Sequence, residues 1–484
     1  MTTEAEPPKP GVLRGFFVSV GSLVFARAFV AVSQIIVLPI IARQLTVEEF
    51  AIMAMAMTVV IFSSVLSDAG LGRSLIRTDD YNALEWTSVF WLLVGLGVFL
   101  GGSIALTAPM VASFYDQPDL VAILAVLALV PFLQAVSAVP NAEIERRENY
   151  AALARLQVIS TGLSLSIAVG MALTGFGVWA LVGQQLSLAV FRNIGLAALT
   201  RFRPSAAWSW PLVRGHLGFA RDSVGTSIIA VVQTQAAVVA IARFLGDGAL
   251  GLFAMSQRFT RLPQFGLAGP MSSVVYVRMA KAKHDPQRVV DIYMAALRLL
   301  ALVLIPPLTL IAVAGEAIFT FLLSEEWRGM AVVFAYSIPG ITFESIAAVC
   351  LACIFRAMGR TELHLRLVVE GAITMVILAT IAAQISLEAV AFAFTLWGAV
   401  YVFRAWTVAA RIVPLSIGRA LAAIVPSALA AGSAGLAHRV VVAGFEPTRL
   451  VEIAVAVVLT LACYGALFLF ERRRVMADVQ VFRA

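Results

Sequence analysis

Fourteen successive stretches of this chain, beginning near residues 12, 47, 84, 119, 150, 177, 217, 249, 288, 328, 363, 388, 418 and 449, are dominated by apolar residues. Each offers roughly twenty of them, the length that crosses a hydrocarbon core as a helix. A backbone in lipid finds no water and must close its own hydrogen bonds. The expected fold is therefore an all-α polytopic membrane protein. Charged residues make up 13% of the 484 and hydrophobic ones 61%; a soluble domain carries about twice that charge share. The first run, residues 11–45, is far too long for the apolar core of a signal peptide and lacks a convincing cleavage site, so it reads as a retained span.

The net charge of +7 is better explained by topology than by a nucleic-acid partner. With the N-terminus in the cytoplasm, 23 lysines and arginines fall on cytoplasmic segments, and five (Arg43, Arg243, Arg328, Arg439 and Arg449) on the opposite loops. Such a bias places both termini of a multi-pass membrane protein in the cytoplasm. Arg472, Arg473 and Arg474 read as an anchor at the lipid headgroups. The longest outer loops, residues 108–119, 315–327 and 438–449, are too short for a catalytic domain. Cys350 and Cys353 have the spacing of a redox pair, but inside an apolar span they read as small core residues, as does Cys463. His216, His284, His364 and His438 are scattered along the chain and suggest no metal site.

The chain also echoes itself. Ile41-Ala42-Arg43-Gln44-Leu45 returns as Ile241-Ala242-Arg243-Phe244-Leu245, and Ala54-Met55 as Ala254-Met255. Ile144, Arg146 and Leu153 return as Ile354, Arg356 and Leu363. Six spans per half is an even number, so both halves enter the bilayer from one side, as a parallel repeat. The expected organisation is a six-helix lobe over residues 1–210, a second over 211–415, and two additional helices with a cytoplasmic tail over 416–484. The two lobes would surround a central cavity and work by alternating access.

Polar residues mark the faces that such a cavity would use. On a wheel with Ser19 at zero, Ser19, Ser22, Arg27, Ser33 and Gln34 of span 1 fall within about 140°, with Ala26 among them. With Phe219 as the equivalent zero in span 7, Asp222, Ser223, Thr226, Ser227, Gln233 and Thr234 fill the same arc. Gln257, Thr260, Arg261 and Gln264 share a face of span 8, and Ser64 and Asp68 the equivalent face of span 2. A charge facing lipid costs roughly 2.5–3.5 kcal/mol or more, so such groups turn inwards. Ser and Thr suit structural pairing between helices; Arg27, Asp68, Asp222 and Arg261 suit a cavity. Glu370 is explained by Arg366 one turn away, whereas Glu344 has no such partner in sequence. Pro270 in span 8 and Pro306-Pro307 in span 9 are expected to kink their helices. Gly95, Gly97, Gly101 and Gly102 of span 3 would allow close helix contact.

Residues 41–51, with Arg43, Leu45, Glu48 and Glu49, resemble the junction of spans 1 and 2 in bacterial polysaccharide flippases. Residues 67–77, from Ser67-Asp68-Ala69-Gly70 to Arg73 and Arg77, resemble the close of span 2 in the same proteins. These are the Wzx-like O-antigen and polysaccharide transporters of the multidrug/oligosaccharidyl-lipid/polysaccharide exporter superfamily. The resemblance runs over essentially the whole chain, including twelve spans plus two. It implies two six-helix lobes in a V, and transfer of an undecaprenyl-diphosphate-linked oligosaccharide from the inner to the outer leaflet for lipopolysaccharide or exopolysaccharide synthesis. It also implies a lipid-linked oligosaccharide, membrane lipids, a polysaccharide polymerase and glycosyltransferases as partners.

Arg27 and Arg261 suit a diphosphate, and Gln34, Gln233, Gln257 and Gln264 suit sugar hydroxyls. Asp68 and Asp222 would carry a coupling proton or balance the arginines. A drug or cation antiporter of the same superfamily would want an acidic or aromatic cavity. A major-facilitator transporter shares the parallel repeat, but Asp68 to Arg73 only loosely resembles its loop motif. A membrane polymerase, ligase or glycosyltransferase needs a positioned acid or base, and Asp116, Asp119, Glu316, Glu325 and Glu326 supply no partnered motif. Neither an enzyme nor a cofactor is expected. With no Walker motif, ATP is not used directly.

Overall fold

The polar joints between apolar runs carry helix caps, and these set where the helices begin. Asn82 Oδ1 accepts from the Leu84 and Glu85 amides (3.0 and 3.4 Å), and Asp285 from Arg288 (3.0 Å). Asn149 serves Ala152 at 3.3 Å, and Ser386 serves Ala389 at 3.1 Å. Each satisfies an amide that the first turn leaves without a carbonyl. Thr46 and Glu49 form a reciprocal capping box: the Thr46 amide donates to Glu49 at 2.8 Å and the Glu49 amide to Thr46 at 3.3 Å.

The computed structural model describes residues 10–78, 80–263, 268–444 and 447–482; the side chains of 10–21, 23–24, 222, 261–263 and 270 lie outside that description. Among the described residues every regular element is helical. In chain order these are α1 (Pro10–Ala42), α2 (Val47–Asp68), α3 (Leu71–Ile76), α4 (Ala83–Tyr115), α5 (Leu120–Leu127), α6 (Leu129–Arg146), α7 (Tyr150–Leu173), α8 (Trp179–Leu199) and α9 (Trp210–Phe244). There follow α10 (Gly246–Pro263), α11 (Gly269–Lys281), α12 (Pro286–Leu322), α13 (Met330–Thr342), a π-helical turn (Phe343–Ala348), α14 (Val349–Ala357), α15 (Thr361–Ala382), α16 (Leu387–Ala409), α17 (Ile417–Val442) and α18 (Arg449–Val481). Among the described residues, twelve helical segments are long and apolar enough to cross a membrane. The helices α8 and α10, expected as spans 6 and 8, have 21 and 18 residues and stand outside that set.

The prolines act differently from expectation. Pro270 opens α11 at its first turn, where the missing amide costs nothing. In α12 the non-helical residue is Ala314, beyond Pro306 and Pro307.

The chain divides into two compact units, one of Met1–Leu45 with Met55–Val231, the other of Thr46–Ala54 with Val232–Ala484. In the first, α1 lies along α7, α7 along α8, and α4 along α6. A Cβ on Gly97 or Gly101 would come within 2.8 Å of Ala135 or 2.6 Å of the Ala128 carbonyl, while Gly95 and Gly102 meet nothing. Only the pair spaced by four thus serves the α4–α6 contact. The core around Leu71, Leu75, Trp86, Leu93, Val139 and Phe202 is closed at one end by a polar network. There Arg146 lies over the Trp86 ring (5.8 Å) and donates to the Leu75 carbonyl and Thr78, and the buried Glu143 receives Arg147, Thr200 and the Arg201 amide.

In the second unit α12 is the hub, packing against α11, α13, α17 and α18. Its Tyr293 hydroxyl accepts from Trp406 Nε1 at 2.7 Å. The added helices are tied in by Tyr464, which donates to the Ser427 carbonyl at 2.8 Å, and by a two-point ion pair of Arg298 with the buried Asp478. Cys350 and Cys353 are free and fully buried in this core.

The echoed segments occupy matching local places. Residues 41–45 and 241–245 each end a helix, as do Arg146 and Arg356. Arg356 lies over the Tyr276 ring at 5.2 Å, as Arg146 does over Trp86.

Candidate functional site

In the first unit, Arg27 and Gln34 lie two turns apart on one face of α1, Arg27 exposed and Gln34 half-buried. Arg27 has no hydrogen bond or ion pair among the described residues. A guanidinium in a spanning helix with its donors unused is available to an anion. Ala26, placed on the same arc by the wheel, is 2% exposed, so the buried edge of the α1 face starts beside Arg27. Asp68 closes α2 and is half-buried.

The turn after Asp68 is built to pack closely. Ala69 and Gly70 both have positive φ, 48° and 71°, a conformation that costs a Cβ-bearing residue more than glycine. A Cβ on Gly70 would stand 2.5 Å from Ser223 Oγ and 2.8 Å from its Cβ. The turn thus seats on the first half of α9, where Arg77 also lies over the Phe219 ring at 5.3 Å. Ser67 adds a 3.5 Å contact to Gln134 of α6. Replacing Gly70 with valine is expected to destabilise the protein by about 1–3 kcal/mol through backbone strain alone, with the Ser223 clash added. Thermal unfolding of the purified protein should show a lower midpoint for Gly70→Val and none for Gly95→Ala, whose Cβ meets nothing within 4 Å.

In the second unit Gln233 of α9 and Gln257 of α10 are half-buried. Thr260 donates to the Gln257 carbonyl (2.9 Å) and approaches its Oε1 (3.4 Å). Gln264 and the side chains of Asp222 and Arg261 lie outside the described residues. The neighbouring Arg258, which the wheel passed over, lies over the Phe50 ring at 5.2 Å, and Phe50 meets Trp327 edge-on at 5.2 Å. A cation held on an aromatic face is partly neutralised yet keeps its in-plane donors for an oxyanion. Its sequence signal was available: it is an arginine beside Gln257. Arg192 of α8, also missed, donates to Asn141 at 3.2 Å. No group of three His, Cys, Asp or Glu suited to a metal occurs among the described residues.

The family model described as "Polysaccharide biosynthesis protein" matches residues 40–332. The succinoglycan biosynthesis transport protein ExoT of Rhizobium meliloti is 27% identical over 294 residues, 61% of this chain and 60% of that protein. The lipopolysaccharide biosynthesis protein WzxC of Escherichia coli is 22% identical over 296 residues, 60% of each. The matches thus span about three fifths of these relatives' length. Among solved structures, the lipid II flippase MurJ in an inward closed conformation matches with a TM-score of 0.74 at 12% identity, over 95% of this chain and all of that one. An inward-facing multidrug resistance transporter of the MATE family gives 0.59 at 15% identity, over 80% and 98%. At these identities the likeness establishes the fold, which is that of MurJ and MATE.

Proposed function

The chain belongs to the polysaccharide biosynthesis protein family, and on that premise we propose that it is a flippase for a lipid-linked oligosaccharide. It carries an undecaprenyl-diphosphate-linked glycan from the cytoplasmic to the outer leaflet of a bacterial inner membrane, for assembly of a surface polysaccharide, by alternating access and without chemical change to its cargo. The observation that carries this reading is the family match across residues 40–332. Its relatives are named for succinoglycan transport and lipopolysaccharide biosynthesis, and both products are built from glycans too polar to cross a bilayer unaided.

The proposed division of labour follows from donor chemistry. Arg27 and Arg261 take the diphosphate, because a guanidinium presents paired donors to phosphate oxygens. Gln34, Gln233, Gln257 and Gln264 take sugar hydroxyls, since each amide offers both a donor and an acceptor. Asp68 and Asp222 balance the arginines or carry a coupling proton. Both termini are proposed to be cytoplasmic, from the arginine distribution.

A strain lacking the gene is expected to accumulate lipid-linked oligosaccharide on the cytoplasmic side and to lose surface polysaccharide, read by extraction of the lipid fraction and by surface glycan staining. Unchanged surface glycan with altered drug resistance would move the chain to the drug-exporter branch.

A further inference from the structure

Glu370 of α15 is held by two arginines, and only one of them is its helical neighbour. Arg366 Nε reaches its Oε1 at 2.9 Å from one turn earlier. Arg404 of α16 reaches Oε2 with Nε at 3.1 Å and Oε1 with Nη2 at 3.4 Å. Two guanidiniums on one carboxylate leave a net positive charge. Arg360 and Glu362, at the start of α15, pair with each other at 3.7 Å and add no net charge.

The position of this charge is unusual. Glu370 stands nine residues into α15, about 13 Å along the helix at 1.5 Å per residue. Arginines near a span end ordinarily extend towards the water; here both reach the Glu370 carboxylate instead. The cluster is not sealed in the core either, since side-chain exposure is 71% for Arg366, 35% for Glu370 and 42% for Arg404. Beyond it the same two helices present exposed apolar side chains: Ile373 and Ile377 on α15, Leu396 and Val400 on α16. An uncompensated cation beside a lipid-facing stripe is costly unless an anion joins it.

We propose that Arg366, Glu370 and Arg404 form a site for the phosphate group of an anionic membrane lipid, whose acyl chains lie along the apolar stripe. The donors that Glu370 leaves unused on the two guanidiniums take the phosphate oxygens, and the carboxylate spaces the guanidiniums. The site lies in the leaflet that meets the start of α15, the inner one by the arginine distribution. It depends on the chain being in a membrane and not on the identity of the cargo.

The test is native mass spectrometry of the purified full-length protein with phosphatidylglycerol, phosphatidylcholine, undecaprenyl phosphate and inorganic phosphate as probes. The wild type is expected to retain phosphatidylglycerol and undecaprenyl phosphate over phosphatidylcholine, and inorganic phosphate should not displace them. The double variant Arg366→Gln/Arg404→Gln should lower retention about a hundredfold, the loss of two charge-assisted contacts worth about tenfold each. Glu370→Gln should raise it, because the site then carries two positive charges. Those opposite signs exclude a merely structural brace, which would lose in both variants alike. Equal retention in all three proteins, or a fall in Glu370→Gln, overturns the proposal. Displacement by inorganic phosphate would make it a general anion site, and retention of undecaprenyl phosphate alone would assign it to the cargo; either result ends the membrane-lipid assignment.

Discussion

Arg27→Ala is expected to cut glycan export severely while leaving the amount of protein in the membrane unchanged. Arg27 is exposed on α1 and has no hydrogen bond or ion pair among the described residues, so its loss breaks nothing that folding needs. Its proposed partner is a diphosphate. A lost charge-assisted hydrogen bond of about 1.5–3 kcal/mol corresponds to roughly a 10- to 100-fold fall in transport at limiting cargo. Arg27→Lys should recover part of the activity, because a point charge keeps the attraction and loses the paired donors. Arg261→Ala is expected to follow the same pattern. The readout is surface polysaccharide per unit of membrane protein, and normal export in both alanine variants removes the diphosphate assignment.

Gly340→Val is expected to cost the fold itself. A Cβ there would stand 2.4 Å from the Phe394 carbonyl oxygen and 2.7 Å from Thr395 Cα, both backbone atoms of α16 that no rotamer change can move aside. Close approach is needed at this point because Thr395 Oγ1 stands between two groups of α13, accepting from the Gly340 amide at 3.1 Å and donating to the Tyr336 carbonyl at 2.6 Å. A hydroxyl inserted in the helical ladder loosens the turn, and the π-helical segment Phe343–Ala348 follows directly. Overpacking costs about 1–3 kcal/mol, and more where, as here, the obstructing atoms are backbone. Folded yield by size-exclusion chromatography should collapse for Gly340→Val. It should hold for Gly102→Val, where nothing lies within 4 Å.

What the sequence could and could not reveal follows from the range of the interactions. Helix starts near 84, 150, 288 and 388 were legible to within two residues because Asn82, Asn149, Asp285 and Ser386 are local caps. The start of α9 lies seven residues earlier than 217: its first two turns carry Arg214 and His216, and the hydropathy pattern does not count polar turns as part of a span. Span 4 divides at Ala128 into α5 and α6, just ahead of Pro131, whose missing amide interrupts the helical ladder there and was not weighed in placing a single span.

Long-range pairs were out of reach. Glu370 was assigned to Arg366 because that partner is four residues away, whereas Arg404 is 34 residues on and in another helix. Arg258 itself could be read as an arginine beside Gln257, but its ring partner, Phe50 of α2, could not. The polar faces of α1 and α10 were readable as chemistry, since guanidinium and amide groups in apolar spans stand out. What they bind is not written in their spacing.

Transfer across a bilayer is therefore the measurement that matters most. The purified protein is reconstituted into liposomes with an undecaprenyl-diphosphate-linked oligosaccharide from its own pathway, and the fraction of glycan open to an external glycosidase is followed in time. The account predicts that the wild type exposes lipid-linked glycan from the inner leaflet well above the protein-free rate, and that Arg27→Ala does so roughly 10- to 100-fold more slowly than the wild type. A wild-type rate equal to that of empty liposomes would contradict it.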